Sequence, residues 1–340
     1  MAELNLTNPS LIEVLSRNDP DGRIGTIIEA AEKSNPIIAD ATYVECNDGS
    51  KHQHIIRTGI PEPAFRRYNA GVQPTKSQAV PVVDTTGMIE DYSVVDKALA
   101  DMGGNAAAFR ASEVVAKIQG FNNFVATNMF YGSTATTPEG FMGLHPRFAA
   151  KSGVDSGRQI ILGGGGGSTN TSIWFVTWGG KGVNLIYPKG SAVGFQHRDL
   201  GEQTADMGSG KLMQVYRDHL KWDIGMTVGD WRCVSRIANI DVTTLTKNAA
   251  SGADLLDLLI DGEEVLDTTS LSVDKTGKLV TGKTVMYVSR TVARFLRKQA
   301  LNKTVNQLRV EEVAGRRVTM WGDIPVRRVD SLLETESTIS

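Results

Sequence analysis

The chain has 340 residues, 41% hydrophobic and 22% charged, an ordinary globular composition with mass for one large or two to three modest cores. Lys and Arg number 36 against 38 Asp and Glu, a formal net charge of −2, so no global field draws the chain to nucleic acid or to an anionic membrane. No apolar run approaches the ~20 residues of a bilayer span, and the opening MAELNLTNPS lacks the blocks of a signal peptide. A soluble chain made in a reducing cytoplasm is therefore expected, with Cys46 and Cys233 as buried thiols in strand-like runs.

Residues 1–40 read as an arm with short helices. Asn8 can cap a turn opened by Pro9, with Leu11, Ile12, Val14 and Leu15 behind it. Asp19-Pro20-Asp21-Gly22 is a turn, and Ile24, Ile27, Ile28 and Ala31 mark a second helical stripe that Asn35-Pro36 ends. Thr42 to Cys46 and Lys51 to Thr58 read as a hairpin around Asn47-Asp48-Gly49. The segment from Arg57 to Ser77, RTGIPEPAFRRYNAGVQPTKS, follows. Its Pro61, Pro63, Pro74, Gly59 and Gly71 exclude helix and weaken strand. Ile60, Phe65, Tyr68 and Val72 are too apolar for a disordered linker. An ordered irregular excursion of this kind needs a surface to pack on, and a second copy of the chain can supply one. Ser77 to Thr85 is again extended, and Pro81 places it at a sheet edge.

The spacing predicts one long helix, about Asn105 to Tyr131, with Ala111, Val114, Ile118, Phe121, Val125 and Met129 as its apolar seam. Gly120 inside it costs ~1 kcal/mol relative to alanine, which implies close packing against another element. The five-glycine run Gly163–Gly167 reads as a flexible loop. Strands are predicted at Ser172–Trp178, Val183–Tyr187, Leu212–Trp222 and Trp231–Ile240, and an apolar helix at Ala253–Leu266. A buried strand at Thr284–Val288 leads to a helix capped by Ser289, with Val292, Phe295, Leu296 and Gln299 on one face. Arg317–Trp321 and Ile324–Val329 form a hairpin about Gly322-Asp323. The class is α+β, with no internal repeat.

Candidate chemistry is weak throughout, and no catalytic, cofactor or metal residue is assigned. Gly208-Ser209-Gly210-Lys211 is followed by Leu212 and lacks the hydroxyl that a phosphate loop needs for Mg²⁺. His52 and His54 share a strand face, but zinc takes three or four ligands, so exposed strand polarity is the better account. His197, Asp199, Asp218 and His219 read as a polar network, since no activated nucleophile accompanies them. Arg290, Arg294, Arg297, Lys298 and Lys303 make one helix strongly cationic; a solvated face and nonspecific phosphate contact both remain open. Arg327-Arg328 is similarly ambiguous.

Seven blocks carry a resemblance: RTGIPEPAFRRYNAGVQPTKS (57–77), DKALADMGGNAAAFRASE (96–113), FYGSTATTPEGFMGLHPRF (130–148), TSIWFVTWG (171–179), YPKGSAVGFQHRDLGE (187–202), WRCVSRIANID (231–241) and GDIPVRRVDSLL (322–333). In these the chain closely resembles tailed-phage major capsid proteins of the gene-product-seven family. The resemblance implies an HK97-like fold with permuted topology. It divides as an N-terminal arm (1–40), an E-loop (41–90), a P-domain with its spine helix (91–150), a first part of the A-domain (151–211), P-domain strands (212–245), and the A-domain remainder with the C-terminal hairpin (246–340). It implies self-assembly into hexamers and pentamers of an icosahedral shell around double-stranded DNA. Assembly would take place in the bacterial host cytoplasm, with nonspecific DNA contact and no membrane. Cement, scaffolding and portal proteins are implied partners; about 40 residues before the E-loop leave no room for a long cleavable scaffold, so scaffolding should be a separate protein. Arg57, Phe65, Arg66, Arg67, Tyr68 and Lys76 are the candidate contacts between subunits, arginine and aromatic side chains being favoured anchors; packing within their own subunit is the alternative. Two rivals are a protein compartment of the same fold that encloses enzymes and a cytosolic enzyme with a glycine-rich loop.

Overall fold

The computed structural model describes residues 35–340 apart from 103–104, 207–210, 250, 268–271, 274–278, 281, 304–307 and 314–315. The two helical stripes expected at residues 9–15 and 24–31, and the side chain of Lys303, lie outside the described residues. Among the described residues, no helix is long and apolar enough to cross a membrane.

After a short helix α1 (Ile37–Asp40), strand β1 (Tyr43–Glu45) is followed by β2 (Lys51–Gly59) and the 19-residue β3 (Gln78–Asp96). The expected hairpin of β1 with β2 does not form: β1 pairs in parallel with β6 (Val183–Tyr187), while β2 pairs with β3. The turn at residues 47–49 survives, closed by Asn47, whose amide donates to the Gln53 carbonyl and whose oxygen accepts from the Gln53 N–H. β3 changes partner along its length. Residues 78–85 pair with β2, and residues 86–96 pair with β8 (Leu212–Val228). A two-stranded ribbon thus leaves the body with residues 60–77 at its tip. The single strand β3 runs through residue 90, and Pro81 lies where β3 has only β2 beside it. Gly225 of β8 sits opposite the crossover, where a side-chain carbon would come within 2.6 Å of the Thr85 carbonyl.

Helix α2 (Lys97–Met102) precedes α3 (Ala106–Tyr131), which starts where the Asn105 side chain accepts from the Ala108 N–H. Val114, Phe121, Val125, Met129 and Phe130 are buried as the spacing requires, but Ala111 is exposed. Gly120 is exposed too, with nothing within 4 Å of where a Cβ would lie. Its expected close packing is absent within the subunit.

After the short α4 (Leu144–Arg147), the remaining strands join one 13-stranded sheet. Here β4 (Ile160–Leu162), β9 (Val234–Asp241), β5 (Asn170–Trp178), β12 (Lys283–Val288), β15 (Ile324–Arg328), β14 (Arg316–Trp321) and β13 (Leu308–Val313) lie side by side, and β7 (Phe195–Asp206) pairs with β8. Strands β10 (Ser272–Val273) and β11 (Leu279–Val280) form a separate pair. Every residue of β5 is buried: Trp174, Val176 and Trp178 face the core under α3. Ile173 and Phe175 face a second core under α5 (Leu255–Glu264) and α6 (Arg290–Lys303). A strand covered on both faces reads as a continuous apolar run rather than an alternation. The glycine run between β4 and β5 is no cradle. The Gly163 and Gly165 N–H groups donate to the carbonyls of Ala238 and Asn239, and a Cβ on Gly165 would meet the Asn239 carbonyl at 2.6 Å. Its first half is held along β9 rather than loose.

Beside Phe148 and Trp174, in the core under α3, lies Arg236 of β9, wholly removed from solvent. Its guanidinium pairs with Glu336 at 2.7 Å, donates to Ser172 Oγ and the Phe148 carbonyl, and lies 4.8 Å over the Trp174 ring. Glu336 also accepts from Ser172 Oγ and from the Tyr131 hydroxyl at 2.6 Å; that hydroxyl accepts the Leu333 N–H. The C-terminal tail is thereby sewn to α3, β5 and β9. Burial pushes the Tyr131 hydroxyl well above its ordinary range, aided by the Glu336 carboxylate, so Tyr131 stays a donor.

Two outcomes follow in denaturant unfolding of the unassembled chain. Glu336→Gln strands a buried guanidinium and should cost about 3–5 kcal/mol, with Arg236→Met/Glu336→Leu recovering most of the loss. Gly120→Ala should gain roughly 1 kcal/mol, because the site is an exposed helix interior.

Candidate assembly interface

Strand period places His52, His54 and Ile56 on the body side of β2 and Gln53, Ile55 and Arg57 on its outer side. The two histidines are half-buried, 6.3 Å apart ring to ring, and not exposed polarity as the sequence suggested. Burial lowers the His54 pKa, against the nearby Asp84 carboxylate that raises it. The outer face carries apolar groups instead: Ile55 is 71% exposed and Val83 52%. Arg57 and Ile60, at the tip-ward end of the β2–β3 pairing, line a cleft of about 710 Å³ between the ribbon and the body, shared with Arg158, Lys181 and Trp231.

The other candidates sit apart from that cleft, at the tip. Residues 60–80 are exposed throughout, and Phe65 and Tyr68 are as open as in an extended peptide, at 109% and 101%. The tip is nonetheless shaped. Arg66 Nε donates to the Ala70 carbonyl at 2.8 Å, the Ala70 N–H donates to the Arg67 carbonyl, and Asn69 takes φ 59°, a left-handed turn that asparagine tolerates. Arg66, Arg67, Tyr68 and Phe65 therefore form one group; Lys76 lies further along the returning limb, and Arg57 sits on β2 opposite Ala79, facing the cleft. Within one subunit neither the Phe65 nor the Tyr68 ring packs on its own chain.

The root is fixed by residues the sequence reading missed. Asp84, 5% exposed, pairs with Arg147 Nη2 at 2.6 Å, and the same nitrogen donates to the carbonyls of Met142 and Met226. The pair stands just before β3 changes partner. Pattern could have flagged it, since Asp84 shares its strand face with Val82. Elsewhere, Arg110 joins Asp199 and Asp218, and His197 Nε2 lies 3.1 Å from Asp218, the expected polar network. His219 stacks on Tyr92, and His145 packs against Tyr131. Both cysteines are buried; burial, with the Glu45 carboxylate, pushes the Cys46 thiol up to about 11. Among the described residues, no group of three His, Cys, Asp or Glu could hold a metal ion.

The ribbon thus carries a bare apolar tip on a pinned root. The family model described as major capsid protein GP7 matches residues 19–340. The chain belongs to that family. A chain of bacteriophage Epsilon15 is 45% identical with a TM-score of 0.81, covering 100% of this chain and 99% of that one. The capsid of bacteriophage JBD30 is 7% identical, with a TM-score of 0.49 over 88% of this chain and 91% of that one. The SrpI encapsulin of Synechococcus elongatus is 9% identical, with a TM-score of 0.41 over 64% and 91%, a likeness too slight to favour the compartment reading. No curated protein matches. The GP7 family member is thus a phage major capsid protein with an HK97-like α+β fold, as the seven sequence blocks implied.

Two measurements on the capsid chain test the root. Asp84→Asn leaves Arg147 unpaired, and a lone two-stranded ribbon is marginal, so amide exchange across Lys51–Gly59 should speed at least about tenfold while β5 and β9 stay protected. Because the folded His54 pKa lies below the unfolded value, the unfolded chain binds more protons, and stability should fall as pH drops through ~6.5. The melting temperature should decline from pH 7.5 to 5.5, less steeply in His54→Gln.

Proposed function

We propose that this capsid protein assembles into the hexamers and pentamers of an icosahedral shell enclosing double-stranded DNA. In this reading the β2–β3 ribbon and its tip are the E-loop, and α3 is the spine helix. The core under α5 and α6 belongs to the A-domain that turns toward the capsomer axis. The order of these elements along the chain is a permuted version of the fold. The arm expected at residues 1–40 lies mostly outside the described residues, and its last part packs at home, since Ile37 is buried in this subunit's own core; scaffolding, portal and cement proteins are the capsid protein's further partners. Assembly takes place in the bacterial host cytoplasm.

The single observation that carries the reading is the exposure of Phe65 and Tyr68 beside Arg66 and Arg67. Aromatic and arginine side chains anchor interfaces, and contiguous exposed apolar surface on an ordered segment marks a contact site. Many such contacts, each modest, let misplaced subunits leave while the closed shell holds. The near-balanced charge of the chain suits an inner wall that must let DNA slide.

Arg66→Glu and Tyr68→Ala should each cut the yield of closed particles at least about tenfold, scored by sedimentation and electron microscopy. The unassembled chain's melting temperature should stay within a degree or two, since Tyr68 is fully exposed and Arg66 bonds only to Ala70 within the exposed tip. Unchanged particle yield would contradict the assignment of the tip as an interface.

A further inference from the structure

Two charged helix faces in the second core are left over from this account. On α5, Asp257, Asp261 and Glu264 are exposed at i, i+4 and i+7, with Ile260 between them 44% exposed. On α6, Arg290, Arg294 and Arg297 are exposed at the same spacing, with Lys298 beside them. Each triad falls within one narrow stripe ~10 Å long, by 3.6 residues per turn and 1.5 Å rise. The stripes are opposite in sign and equal in length.

They do not neutralise each other. Among the described residues Asp261, Glu264, Arg294 and Lys298 make no ion pair. Arg294 and Lys298 instead lie over the Phe295 ring, at 4.9 and 5.1 Å. The basic stripe is also concave. With Thr319, Val326 and Arg328 of β14 and β15 it lines a recess of about 410 Å³. Its walls are set: Arg290 is held by Asp330 at 3.0 Å, and Arg297 Nη2 donates to Thr319 Oγ1 at 2.9 Å. Gln299, about 200° round the helix from Arg297, faces the other way: its amide donates to the Thr246 and Ala253 carbonyls and its oxygen accepts the Leu255 N–H. The start of α5 and the basic recess therefore lie on opposite flanks of α6.

We infer that the acidic face of α5 docks into the basic recess of α6 on the next copy of this chain. Two different patches that fit each other give a head-to-tail contact, which closes into a ring when the rotation permits. The inference deepens the shell reading and rests on it, locating the contact that repeats around a capsomer. Nucleic acid fits the observations less well. Phosphate in the recess would leave the acidic stripe and exposed Ile260 of α5 unexplained, and would not call for two stripes of matched spacing. Charge pairing at a partly exposed rim steers and registers copies more than it adds affinity, which suits reversible ring closure.

The test is charge reversal with a rescue arm, on the full chain produced in bacteria alongside the scaffolding, portal and DNA-packaging chains of its phage, and scored by sedimentation and electron microscopy. Asp261→Lys/Glu264→Lys and Arg294→Glu/Lys298→Glu should each reduce closed particles at least about tenfold. The chain carrying all four changes should return to within about threefold of the parent. Melting of the unassembled variants should match the parent, because all four side chains are exposed. Singly reversed chains that assemble like the parent overturn the inference, as does a fourfold variant that is not rescued. Normal particles from the α6 reversal with less packaged DNA would reassign the recess to nucleic acid. A parent chain that forms no particles overturns the shell reading and this contact together; a parent that assembles while the reversals have no effect overturns the contact alone.

Discussion

Taking a guanidinium out of water costs several kcal/mol unless its N–H groups meet acceptors and its charge meets an anion. Arg236 is buried completely, and satisfying it dictates what must surround it. Glu336 has to return from the C-terminal tail, Ser172 has to turn inward from β5, and the chain after α4 has to present the Phe148 carbonyl. Tyr131 then locks the last turn of α3 onto the same carboxylate. One site thus fixes how the long helix, the central strands and the tail sit together within the core under α3. A buried ion pair of this kind is weak as a source of stability and strong as a specification of arrangement.

From that body the β2–β3 ribbon leaves at a second buried pair, Asp84 with Arg147. The same logic works there at smaller scale: the pair sets where β3 stops being a body strand and becomes a ribbon strand. Beyond it the chain buries almost nothing of its own. A capsid protein gains from this division. The body holds the buried cores, while the tip of the ribbon keeps its apolar and cationic groups exposed within one subunit.

Much of this was legible in the sequence. Helix α3, strands β5, β6 and β12, the Ser289 cap and the Gly322 hairpin follow from local period and turn chemistry. The exposed tip followed from its proline content set against its aromatics. What period could not supply was pairing. β1 and β2 flank a good turn, yet β1 is drawn to β6 because the parallel edge was open there. The histidines of β2 were assigned to solvent because no local signal says which ribbon face meets the body. Arg236 sits in phase with Val234 and Ala238, the inward parity of its strand, but its partner lies a hundred residues on, and no spacing rule reaches that far. Gly120 shows the converse: an apparent packing glycine with open space around it inside one subunit.

The central claim is that the tip of the ribbon is completed by a neighbouring copy. A cryo-EM reconstruction of the assembled particle tests it most directly, through the surroundings of Phe65 and Tyr68. The account predicts both rings enclosed by residues of an adjacent subunit, with Arg66 and Arg67 facing its carboxylates or carbonyls. Rings left open to solvent in the closed shell, or folded back on their own subunit, would contradict it.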